Sequence, residues 1–217
     1  MLAKNSTIIS AVALAAVLAG VGLVAIDREQ DSRAVLLPTQ AMKLFAQPKP
    51  LTDFMLTDHN DRNFDLDSLK GKWSLLFFGF THCPDICPTT MAVLARTHEK
   101  IAKDTFGAEH TRFFFITVDP SRDTTARLKQ YVGYFDSSIV GVTGSDVQIA
   151  NLAAQLDAEY QVAFTPSVEN YPVYHTPAAF LVDPQARYHA MFAPPFDAEA
   201  ISRRLKVLQE LNGGKAA

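Results

Sequence analysis

The chain has 217 residues, 48% of them hydrophobic, and a formal net charge of -3. That length suits one sizeable domain with an appendage, and the near-neutral balance gives no basic field for nucleic acid, so none is expected as a partner. The chain's 2 cysteines are too few for a disulfide-dense secreted scaffold and have to be explained by their own chemistry.

The first element in the chain is an uncharged stretch between Lys4 and Asp27, whose residues 8–26 (IISAVALAAVLAGVGLVAI) are almost all apolar. At about 1.5 Å per residue such a helix crosses the ~30 Å hydrocarbon core of a bilayer. A cleaved signal sequence usually carries an apolar region of only about 7–15 residues with a small-residue cleavage site. Residues 1–26 are therefore read as a single transmembrane anchor in preference to a signal sequence. Lys4 and the terminal amine precede it, which orients the following chain to the exported side. With no Arg-rich transit peptide ahead of the anchor, the expected place is a bacterial inner membrane, with the soluble part in the periplasm. Residues 27–50 are polar, contain Pro38, Pro48 and Pro50, and read as a linker.

From residue 51 to residue 217 the pattern is that of one folded domain. Residues 74–80 (SLLFFGF) are a continuous apolar run, as in a strand buried on both faces. Residues 112–118 are a second strand, 139–142 a shorter third and 178–183 a fourth; 187–192 pair back after a Pro-Gln turn as a terminal hairpin strand. Helical stripes lie between them: Met91, Leu94, His98 and Ile101; Leu128, Tyr131, Val132 and Phe135; then Ile149, Leu152, Leu156 and Tyr160 behind an N-capping Ser145. The last helix carries Ile201, Leu205 and Leu208 and ends at Asn212-Gly213. This alternation predicts a three-layer α/β/α domain. A buried strand running into a Cys-bearing helix start, and a late His-Thr-Pro step opening a hairpin strand, give it a thioredoxin-like layout.

Both cysteines fall in residues 78–90, FGFTHCPDICPTT. Pro84 and Pro88 disfavour helix at Cys83 and Cys87, so the helix is expected to begin at or after Pro88. Thiols there face free backbone N–H groups and the positive end of the helix dipole, which favour thiolate. Thiolate both attacks disulfides and binds metal. A thioredoxin-type loop has two residues between its cysteines; here Pro84, Asp85 and Ile86 allow a chelating bite as well as a disulfide. Two soft thiolates select copper(I) or zinc, and structural zinc would want four protein ligands. Two thiolates with one imidazole suit low-coordinate copper.

The chain has 6 histidines. His59 and His110 lie in polar stretches and read as surface residues, His98 as a packing residue and His189 as part of a terminal strand. His82 adjoins Cys83 but should point away from it. His175 opens a strand that would be central, in the loop facing the cysteines. Met91 has a core-facing position, and Met191 is a further soft donor. Asp119, Arg122 and Asp123 lie at the C-terminal end of the second strand, where α/β sites gather; Asp123 reads either as an N-cap or as support for the site.

With FGFTHCPDICPTT, FITVDPSRDTT and the His175 loop followed by FLVDPQARYHAMF, the chain resembles the Sco/SenC family of membrane-anchored, copper-binding thioredoxin-like proteins over roughly residues 50–211. The resemblance implies Cys83, Cys87 and His175 as copper ligands for Cu(I) or Cu(II). It also implies delivery of copper to, or thiol reduction at, the binuclear copper site of cytochrome c oxidase, whose copper-bearing subunit or another copper or thiol protein would be the partner. Two departures stand out. An acidic residue commonly precedes the ligand histidine in the family, where this chain has Tyr174, and Thr176-Pro177 resembles the cis-proline step of thioredoxins. The alternative is an exported thiol–disulfide oxidoreductase in which Cys83 and Cys87 are the catalytic redox pair. A short structural disulfide is the third reading.

Overall fold

In a computed structural model, which describes residues 42–103, 109–163 and 171–213, the apolar run becomes strand β4 (Trp73–Gly79), buried at every position. Uniform burial requires cover on both faces, and the topology supplies it. The sheet has 8 strands in the order β1-β10-β9-β4-β5-β6-β2-β3. They are β1 (Met42–Pro50), β2 (Met55–Asp58), β3 (Asn63–Asp65), β5 (Thr111–Thr117), β6 (Val140–Thr143), β9 (Ala179–Val182) and β10 (Arg187–Phe192), with β4 among them. Strands β4, β5 and β6 run parallel, while β9 lies antiparallel to β4.

Helix α1 (Leu66–Leu69) follows β3; α2 (Ile86–Ala102) joins β4 to β5, and α3 (Thr125–Phe135) joins β5 to β6. Two right-handed crossovers taken in one direction put α2 and α3 on the same face. There Phe115 meets Tyr131 and Phe113 meets His98. The C-terminal helix α5 (Ala198–Gly213) packs beside α2. Phe78, Phe114 and Phe180 turn to the opposite face, where Phe114 packs on Phe64 and Phe78 on Phe180. Helix α4 (Asp146–Gln155) follows β6, and a separate ribbon of β7 (Tyr160–Val162) and β8 (Val173–His175) leads into β9.

The α/β thioredoxin-like reading holds, with four differences. The linker expected to reach residue 50 gives way at Met42, because β1 pairs antiparallel with β10 and Phe45 packs its ring 4.6 Å from that of Tyr188. Its prolines are tolerated because β1 is an edge strand. Strand β10 is therefore flanked on both sides instead of terminal. Helix α4 stops at Gln155, and Tyr160 belongs to β7, because Asp157 takes a positive φ of 55° and turns the chain. Helix α2 starts at Ile86, two residues before Pro88; the missing N–H of Pro88 falls in the first turn, where no helical acceptor is needed. The expected anchor at residues 1–26 lies outside the described residues, and among those described no helix is long and apolar enough to cross a membrane.

Candidate metal centre

The site lies where β4 runs out. The Phe80 carbonyl accepts the Cys83 N–H at 3.2 Å, which closes the chain into the turn before α2. Asp123, fully buried, fixes the start of that turn: its carboxylate accepts from Thr81 N at 2.9 Å, Thr81 Oγ1 at 2.6 Å and Thr117 Oγ1 at 2.7 Å. Arg127 Nε donates to Thr81 Oγ1 at 3.3 Å. The N-cap of α3 is Thr124, so Asp123 supports the cysteine loop and leaves capping to its neighbour. Thr81 and Thr117 were not singled out in the sequence; the signal available was their place at the ends of two adjacent buried parallel strands.

Cys87 is buried within the first turn of α2, and Cys83 is half-buried. Both are free thiols, and the Cys87 N–H donates to Cys83 Sγ at 3.4 Å. A hydrogen bond from the Cys87 thiol is the largest influence on Cys83. It outweighs burial and, with the Asp85 and Cys87 amides and the field of His175, lowers Cys83 to about 5. The same hydrogen bond, followed by burial, pushes Cys87 far upward. The pair thus favours thiolate at Cys83 and thiol at Cys87.

His175, on β8, completes the group. Its Nε2 lies 3.3 Å from Cys87 Sγ, and its Nδ1 lies 3.2 Å from the Thr176 carbonyl. An Nδ1–H donated to that carbonyl assigns the tautomer whose Nε2 lone pair faces the sulfur. The ring packs edge-on against Phe77 and Phe80. The donor atoms of Cys83, Cys87 and His175 all lie within 4.8 Å of one another, close enough to hold one metal ion. Two thiolates and an imidazole fit copper; they fall short of a four-ligand structural zinc site.

The other candidates stay apart from this group. His82 stands 3.2 Å from Thr81 Oγ1, and His98 Nδ1 lies 2.6 Å from Asp136. His189 Nδ1 is 3.4 Å from Asp183 and packs on Trp73. His59, expected on the surface, is half-buried and accepts the Gly141 N–H at 3.0 Å. His110 is also half-buried, at the approach to β5, against the same expectation. Met91 is fully buried in the core, as expected, and Met191 is partly buried on β10. Among the described residues the cis peptide bond is Pro194-Pro195, so Thr176-Pro177 is not the cis step that the sequence suggested.

The SCO1/SenC family model matches residues 45–210. The chain belongs to the SCO1/SenC family. A Stutzerimonas stutzeri protein named for copper binding is 34% identical over 173 residues, 80% of this chain and 83% of that protein. The bovine mitochondrial SCO2 homolog is 35% identical over 150 residues, and the chain spans only 56% of its length. Among solved structures, copper-bound ScoI of Bradyrhizobium japonicum is 34% identical with a TM-score of 0.65, over 72% of this chain and 98% of its own. The structure of BsSco, 20% identical with a TM-score of 0.59, shares the fold. The copper named for these relatives agrees with the donor chemistry of Cys83, Cys87 and His175.

Proposed function

We propose that Cys83, Cys87 and His175 are the copper ligands of this Sco protein. Its task is to deliver copper to the binuclear copper site of cytochrome c oxidase, or to keep that site's thiols reduced, during assembly. The observation that carries this reading is the convergence of the three donors within 4.8 Å from segments 88 residues apart in the chain. In this reading residues 1–26 anchor the chain in a bacterial inner membrane, and the domain faces the periplasm. One thiolate already present at Cys83 gives copper(I) a first ligand. Cys87 gives up its proton on binding, as a metal-bound thiol does.

Titration of the reduced protein with copper(I), followed by Cu K-edge spectroscopy, tests the assignment. Wild type should bind with two sulfur donors and one nitrogen donor; Cys83→Ser should lose most of the affinity, and His175→Ala the nitrogen signal. Unchanged affinity and stoichiometry in Cys83→Ser would sink it.

A second reading, thiol–disulfide exchange on a protein disulfide, is favoured by the asymmetry of the pair. A half-buried thiolate beside a buried thiol is the arrangement of an attacking and a resolving cysteine. It predicts that His175→Ala retains reductase activity, and that oxidised chain reacts reversibly with a dithiol.

A further inference from the structure

We infer that Arg122 is a positioning residue that clamps the His175 ribbon against the cysteine loop, and this rests on the copper reading above. The ribbon needs a clamp. Among the described residues, strands β7 and β8 pair with each other, Tyr160 opposite His175 and Val162 opposite Val173, and with no strand of the main sheet. Their own cross-link, Thr176 N to the Glu159 carbonyl at 2.8 Å, holds the ribbon together without fixing it in place.

The fastening comes from the loop after β5. Tyr171, just ahead of β8, donates its hydroxyl to buried Asp119 at 2.6 Å. Arg122 bonds the same carboxylate through Nε, and its Nη2 donates to the Tyr171 carbonyl at 3.4 Å. Its guanidinium lies 3.8 Å over the Tyr171 ring, with the Phe80 ring 5.7 Å away. Phe80 in turn supplies the carbonyl that accepts the Cys83 N–H, and its ring meets the edge of His175 at 6.3 Å. One planar cation is thus layered between rings from the two segments that carry the metal donors. Only 14% of its side chain is exposed.

Chemistry explains the residue type. A guanidinium taken this far out of water has to be paired and hydrogen-bonded, and Asp119 provides both. A flat, delocalised cation stacks on an aromatic face while its edge donates hydrogen bonds; an ammonium does not reproduce both contacts. Arg122→Lys therefore keeps the charge beside Asp119 and removes the layer between Tyr171 and Phe80.

The test uses the full chain, with Arg122→Lys made in wild type and in His175→Ala. Groups that orient metal ligands are typically worth about 10–100-fold in metal affinity. Arg122→Lys should weaken copper(I) binding about tenfold in wild type and lower the nitrogen signal at the Cu K-edge. With His175 already removed it should change affinity by less than about twofold, because the clamp acts through that ring. An equal loss in both backgrounds, or none in either, overturns the inference. Metal-free protein gives a second readout. Ring-to-ring nuclear Overhauser contacts between Phe80 and His175, whose centroids lie 6.3 Å apart, should weaken in Arg122→Lys, while those between Phe77 and Phe115 persist. Unchanged contacts between Phe80 and His175 also overturn it. If wild type binds no copper(I), the copper reading fails, and the metal-free ring contacts still judge the clamp. Should Arg122→Lys fail to fold, Tyr171→Phe carries the same tests, since it removes only the hydroxyl bond to Asp119.

Discussion

Gly79 sits where β4 passes under the buried cysteine, and replacing it by alanine tests the packing of the site directly. A methyl group there would lie 2.9 Å from Phe115 Cε2 and 3.0 Å from Cys87 Sγ, both closer than carbon tolerates. Phe115 has little room to move, since its ring also packs against Phe77 and Tyr131. The sulfur is the softer neighbour and should give way by a few tenths of an ångström. Overpacking of this kind costs about 1–3 kcal/mol, while exchanging glycine for alanine within a strand returns about 0.5–1 kcal/mol. The net loss should be about 1 kcal/mol, or roughly 2–4 °C in Tm for a domain of this size. Copper(I) affinity should fall with it, since Cys87 is one of the three proposed ligands. Thermal unfolding and a copper(I) competition titration measure both effects, and Phe115→Leu should restore part of each by removing the closest contact. A Gly79→Ala protein with unaltered Tm and affinity would show that nothing presses on the sulfur and refute the reasoning.

Alkylation of Cys83 in the reduced protein should be half-maximal near pH 5, falling tenfold per unit below that, with Cys87 protected until unfolding; a half-point near the ordinary thiol value of about 8.5 would contradict the hydrogen-bonding assignment. Asp123→Asn should cost about 2–3 kcal/mol in urea unfolding, because three donors lose a charged acceptor in a buried place. Asp183 supplies a pH test of stability. Burial pushes its carboxyl up, but hydrogen bonds from His189 and Arg187 outweigh it and hold the group below the ordinary range. Its contribution is complete above the unfolded value of about 3.9 and is lost as pH falls through the lower folded value. Asp183→Asn should therefore flatten the acid limb of a Tm–pH curve below about pH 4, and an unchanged limb would rule that contribution out.

The sequence told most about elements whose signal is local. Residues 74–80 and 112–118 read as doubly buried strands because apolar residues run on without alternation, and they coincide to within one residue with β4 and β5. The two cysteines and His175 were legible because their chemistry is rare in a chain with so few alternatives. What escaped depended on partners distant in sequence. Met42–Pro50 carries two prolines and alternates poorly, so only its pairing with β10 makes it a strand. Asp157 ends α4 by taking a positive φ that residue type alone does not announce. Tyr171 gave no signal at all, since its role arises from a hydroxyl reaching Asp119 across 52 positions.

Tyr174 marks the clearest departure from the family pattern, and the geometry says what it changes. In β8 successive side chains point to opposite faces. His175 faces inward to Cys87, so Tyr174 faces outward opposite Gln161, with 64% of it exposed. A side chain there points away from the donor atoms, and an exposed charge acts on a neighbour by at most about 1 kcal/mol, or fivefold. Tyr174→Asp, which restores the acidic type, should accordingly leave copper(I) affinity within about fivefold of wild type. Its effect should fall instead on the outer rim of the site, the wide pocket of about 630 Å³ lined by Glu159, Tyr160, Gln161, Tyr174, His175 and Thr176. An affinity change well beyond fivefold in the competition titration would mean that residue 174 acts on the metal through the ribbon, and that β8 shifts as a unit when its outer face changes.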